Sequence, residues 1–100
     1  MILEVAILII KSGQESAFEF AFEKAGQYIS LTKGYINHSL QKCLEQENKY
    51  ILFVNWESVE DHTIGFRQSA QYIEWKNLLN HFYDQNPVVE HYVTMVDYKR

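Results

Sequence analysis

A chain of 100 residues is one domain's worth of polypeptide, too short for a second independent core. Its 47% hydrophobic and 22% charged residues exclude disorder and fibrous repeats, and nine basic against thirteen acidic residues, net charge -4, leave no positive field for nucleic acid phosphates or anionic lipid. One cysteine, Cys43, excludes an internal disulfide framework and any CxxC metal or redox site, and no apolar run is long enough for a signal segment or a membrane span, so the expectation is a cytoplasmic protein.

Leu3 to Ile10 is a short apolar run closed by Lys11-Ser12-Gly13, and it reads as a first strand. Ser12 and Glu15 have capping-box spacing and predict a helix start. Ala17, Phe18, Ala21, Phe22, Ala25, Tyr28 and Ile29 then recur every three or four residues, the stripe of an amphipathic helix that ends before Gly34 and leaves Phe20 off the stripe. Tyr35 to Leu44 alternates, with Ile36, His38, Leu40 and Leu44 on one side, and predicts a half-exposed strand. A polar turn at 45–49 leads into Tyr50 to Trp56, a strong strand whose short link implies an antiparallel hairpin. Ser58 and Asp61 repeat the capping signal, so Val59 to Phe66 and Ser69 to Tyr83 are expected as two helical stretches with a bend near Gly65. Tyr72, Trp75, Leu79 and Phe82 form the buried stripe of the second, and Val88 to Val96, beyond Pro87, reads as the last strand.

The order βαββαβ is an α+β, ferredoxin-like arrangement: a four-stranded antiparallel sheet with helices on one face. The first and third strands are apolar on both faces, Leu3, Val5, Ile7 and Ile9 against Ala6, Leu8 and Ile10, and Tyr50, Leu52 and Val54 against Ile51 and Phe53. The second apolar face requires a cover, and a two-fold homodimer is the simplest. An aromatic share of 15% is high for this length and points to a pocket or an interface.

Five segments carry a family resemblance: Met1-Ile2-Leu3-Glu4-Val5-Ala6, Lys11-Ser12-Gly13-Gln14, the stretch from Leu52 through Trp56 to His62, the stretch from Phe66 to Trp75, and Val89-Glu90-His91-Tyr92. In order and spacing the whole chain, taken as a single domain over residues 1–100, resembles the antibiotic biosynthesis monooxygenase (ABM) domains of the dimeric α+β barrel superfamily. The resemblance implies a homodimer that oxidises a small planar phenol, quinol or polyketide-like aromatic with O2, without flavin, metal or other cofactor, in a pocket between sheet and helices. Trp56 matches the family's strand-end Trp. The best-defined family pocket also has an Asn four residues earlier, a Tyr six later and an Arg twenty later, positions held here by Leu52, His62 and Lys76. The haem-degrading branch has an Asn in the first strand, where this chain has residues near Ala6, so haem degradation is the weaker reading.

Oxygenation without a cofactor requires an electron-rich substrate that loses a proton and passes an electron to oxygen, so a base and an anion stabiliser suffice. His62 is the candidate base and Arg67 the candidate stabiliser, each weighed against a bland reading as a helix-start histidine and a solvated helix cap. Trp56, Phe66, Tyr72 and His91 are the candidate substrate-binding residues, and for each a packing role is the alternative. His38 and His81 lack metal-ligand spacing, and no metal is expected. The competing functions are a non-catalytic dimeric module that binds a small apolar metabolite, and an isomerase or lyase that shares the enolisation chemistry but consumes no oxygen.

Overall fold

Alternating exposure defines the sheet in the computed structural model, which describes residues 1–100. β1 (Ile2–Ile9) and β3 (Lys49–Trp56) bury every second side chain, while β2 (Tyr35–Lys42) and β4 (Val88–Tyr92) form the edges. The strand order is β2-β3-β1-β4 and every neighbouring pair is antiparallel, the ferredoxin-like topology that the element order implies. Ala6, Leu8 and Ile10 on one strand and Tyr50, Leu52, Val54 and Trp56 on the other join Phe18, Phe22, Ala25 and Ile29 of α1 (Glu15–Ile29) and Trp75 and Leu79 of α2 (Ala70–Leu79) in one core. Both helices therefore cover the same face of the sheet. On the opposite face Leu3, Val5, Ile7, Ile9, Ile51 and Phe53 stay partly exposed.

Between β3 and α2 the chain makes a π-helical turn over Asp61–Phe66, closed by a bond from the Arg67 N–H to the His62 carbonyl. Its start is capped as the sequence implies, the Asp61 N–H donating to Ser58 Oγ at 3.2 Å. The wider turn places His62 and Phe66 inward, and such turns recur at functional sites. A break at residues 67–69 separates it from α2, whose N-cap Ser69 accepts from the Tyr72 N–H. A 3-10 turn, Asn80–Phe82, completes the second helical region.

Several local expectations are corrected. Ser12 makes no capping bond: Gly13 turns the chain through a positive φ of 86°, and Gln14 takes the N-cap position without a side-chain bond. The bend of the second helical region falls after Phe66 rather than at Gly65, which lies inside the π turn. β2 ends at Lys42, leaving Leu44 outside, and a register shift between Tyr35 and Asn37 moves Ile36 off the face of His38 and Leu40. An extra residue in one strand has this effect, because the side-chain period is two. The last strand ends at Tyr92 instead of Val96, and Val93 to Val96 lie exposed beyond it. Phe20, off the helical stripe, is 64% exposed, with the Lys24 ammonium 4.5 Å from its ring centre.

Candidate functional site

Two polar side chains are buried in this core, Glu4 at 5% exposure and His62 at 4%. Glu4 lies on β1 in phase with Ala6 and Leu8, so the pleat that buries those residues also buries its carboxyl. Its cross-strand partners are Val54 on β3 and His91 on β4. Trp56 stands two residues beyond Val54, a diagonal neighbour, and its indole N–H donates to Glu4 Oε1 at 3.0 Å. The His62 ring descends from the π turn, stacks on Trp56 with centres 5.4 Å apart, and brings Nε2 to 3.4 Å from the same oxygen. On its other side His62 Nδ1 shares a 2.8 Å hydrogen bond with His91 Nε2. Glu4, His62 and His91 thus form one polar chain through an aromatic wall.

Burial decides the charges. Desolvation lowers the His62 pKa to about 3, and the nearby Arg67 and His91 act in the same direction. The imidazole is neutral at physiological pH, so its contact with Glu4 is a polar contact and not an ion pair. Burial likewise raises the Glu4 carboxyl above its ordinary range, opposed by the Trp56 hydrogen bond and the Arg67 charge. His91 is lowered by burial and then by Arg67, and the Tyr83 hydroxyl is pushed far up by burial, with Tyr72 and Glu4 adding to the shift.

A cavity of about 370 Å³ opens between the sheet and α2, a size suited to a small ligand. Of the residues singled out from sequence, His62, Phe66, Arg67 and Tyr72 line it, Arg67 exposed at the solvent side. Trp56 and His91 do not. Trp56 has no exposed surface and stands behind Glu4 and His62, and His91 reaches the site only through His62. Leu52, His62 and Lys76, the three positions where this chain departs from the family pattern, all lie on the cavity wall. Sequence reasoning missed Glu4, although the signal was present: a carboxylate in phase with Ala6, Leu8 and Ile10 cannot face solvent if those residues face the core. No group of three or more His, Cys, Asp or Glu side chains is arranged to hold a metal ion, and no helix is long and apolar enough to cross a membrane.

The family model described as antibiotic biosynthesis monooxygenase matches residues 1–78. The uncharacterized protein YczJ of Bacillus subtilis (strain 168) is 55% identical over 92 residues, covering 92% of this chain and 97% of its own length. A crystallised protein of Bordetella bronchiseptica, assigned to the antibiotic biosynthesis monooxygenases, superposes with a TM-score of 0.92 at 30% identity over 95% of this chain and 97% of that one. SnoaB of Streptomyces nogalater, a cofactor-independent oxygenase crystallised in a mutant form, shares the fold with a TM-score of 0.78 at 14% identity, over 96% of this chain and 94% of its own.

Proposed function

The chain belongs to the antibiotic biosynthesis monooxygenase family, and on that premise we propose that it oxidises a small planar phenol, quinol or polyketide-like aromatic with O2, without a cofactor, as a homodimer. The observation that carries this reading is the cavity itself, in which a buried carboxyl–imidazole pair faces the same space as an exposed guanidinium. A phenol or enol that gives up its proton on the His62 side becomes an electron-rich anion, and the Arg67 guanidinium stabilises that anion through charge-assisted hydrogen bonding. The anion passes electrons to O2, one oxygen atom enters the product and the other leaves as water. Phe66 and Tyr72, whose ring centres are 5.3 Å apart in an edge-to-face pair, supply aromatic surface against which a planar substrate packs. Trp56 and His91 act from behind His62.

Oxygen uptake by metal-stripped protein against a panel of quinols, naphthols and anthrones tests the reading, with His62→Ala and Arg67→Ala measured beside the parent protein. Uptake that falls at least tenfold in both variants is the expected result. No uptake across the panel, with binding still detected by tryptophan fluorescence, would replace the oxygenase by a binding module or by oxygen-independent enol chemistry.

A further inference from the structure

Within this monooxygenase reading, on which the inference rests, we propose that Glu4 is the catalytic base that takes the substrate's proton and later returns it, with His62 and His91 as positioning residues that hold its carboxyl. The geometry separates the two oxygens of that carboxyl. Oε1 accepts from the Trp56 indole and faces His62 Nε2, whereas Oε2 has no hydrogen-bond partner on a residue that lines the cavity. In this proposal His91 Nε2–H is the donor to His62 Nδ1, which leaves the His62 proton on Nε2, 3.4 Å from Oε1. With Oε1 held by the Trp56 N–H and flanked by the His62 ring, Oε2 is the acceptor left open to substrate. This is the base-and-orienter arrangement of an activated site, built here around a carboxylate.

His62 itself is a poor final acceptor, because a buried neutral imidazole resists a positive charge. A carboxylate that gains a proton instead loses its charge, which burial favours. For a substrate with an acidic CH2 group the balance closes within the cavity. One C–H bond breaks, its electron pair remains on the substrate as an enolate, and the proton forms an O–H bond at Oε2. The enolate carbon bonds O2, and the peroxide anion takes the proton back from Glu4. Loss of the second C–H proton to Glu4 expels hydroxide as the O–O bond breaks, and that proton converts the hydroxide to water. The sum is CH2 plus O2 giving C=O plus H2O, with Glu4 unchanged.

Anaerobic deuterium exchange at the CH2 of anthrone in D2O, followed by proton NMR, reads the first step without oxygen. The parent protein is expected to accelerate exchange above background. Glu4→Gln, which keeps an acceptor for Trp56, is expected to lose at least 100-fold of that acceleration, while still quenching tryptophan fluorescence when anthrone binds. Glu4→Asp, retained in case the amide variant does not fold, is expected to fall about tenfold with a shifted pH midpoint. The groups around that titration are His62, His91, Arg67 and Tyr83. His91→Phe is expected to lower exchange and move the midpoint without weakening anthrone binding, a pattern that general loosening of the fold does not produce. Exchange at the parent rate in both Glu4 variants would overturn the assignment while oxygen uptake leaves the monooxygenase reading standing. Absence of both exchange and oxygen uptake in the parent protein would remove the two together.

Discussion

Glu4 and His62 are both buried beside one cavity, yet their burial bends the pH dependence of stability in opposite directions. The His62 pKa falls from an ordinary 6.5 to about 3 on folding, so its contribution is complete above pH 6.5 and is lost as pH falls toward 3, where the unfolded chain binds a proton that the native one refuses. His38 and His91, also lowered by burial, act with the same sign. Glu4, raised by burial, opposes them, since the native state takes up its proton first on acidification. The histidine shift is the larger, and a loss of roughly 3 kcal/mol between pH 7 and pH 4 is expected from His62. Urea unfolding across that range checks it: His62→Gln should flatten the curve, and an unchanged slope would place the acid sensitivity elsewhere. The two glycines of positive φ give a second prediction. Gly34, φ 85°, packs directly on the Asp61 side chain, whereas Gly13, φ 86°, has open space around it. Gly34→Ala therefore combines backbone strain with displacement of the residue that Ser58 caps, and should cost about 3 kcal/mol against about 1 kcal/mol for Gly13→Ala. Equal shifts in thermal midpoint would show that Asp61 yields freely. At this scale the sequence was partly legible: His62, Phe66, Arg67 and Tyr72 could be picked out from residue type and helical spacing. Glu4 escaped because a strand dominated by aliphatic residues reads as a uniform apolar run, and one charge in phase with the core becomes visible only when the strand is read residue by residue.

Among the elements, the body of α1 was the most legible, because its period repeats often enough to overrule a single ambiguous residue such as Phe20, and β3 followed as an unbroken apolar run. Where the chain relies on tertiary packing, the pattern said less. Val59 to Phe66 is helical as its spacing implies, but the choice of π over α geometry depends on His62 and Phe66 stacking against the sheet, and no local propensity encodes it. The face of β2 was misread at Ile36 because one bulged residue reverses the alternation. Ser12, read as a helix cap, and Ser69, which caps α2, separate cleanly and can be tested together. Ser69 Oγ accepts from the Tyr72 N–H at 3.1 Å and donates to the Phe66 carbonyl at 2.6 Å, joining the π turn to α2, whereas Ser12 makes no capping bond. Ser69→Ala is expected to lose about 1 kcal/mol in urea unfolding, and Ser12→Ala to stay within about 0.5 kcal/mol of the parent protein. Because Phe66 and Tyr72 both line the cavity, Ser69→Ala should also weaken aromatic ligand binding, an effect Ser12→Ala should not share. A Ser12 variant as damaging as the Ser69 variant would restore the capping box to the N-terminus of α1.

For the whole molecule the decisive feature is the sheet face the helices do not cover. Val5 and Phe53 are register partners at its centre, with Ile7 paired to Ile51 beside them, and Val88 and Tyr92 extend the apolar surface onto the β4 edge at about half exposure. A 100-residue domain has little core to spare, and an antiparallel sheet left wet on such a face forgoes much of its available burial. A two-fold partner would cover the face with its own copy, the interface that the homodimer reading requires. Symmetry makes this sensitive to a single charge, because every substitution enters the interface twice. Val5→Lys should place an ammonium group on this face in each copy, with only the cross-strand Glu90 beside it to offset the charge, and would carry that charged pair into the interface twice, while the helix-side core that builds the cavity stays untouched. Light scattering at micromolar concentration is expected to give about 24 kDa for the parent protein, twice the 11.9 kDa chain, and the single-chain mass for Val5→Lys. The parent dimer should also gain thermal stability as its concentration rises, and the variant should not. A monomeric parent protein would mean that the open face tolerates water, and the two-sided apolar pattern of β1 and β3 would then need another cover.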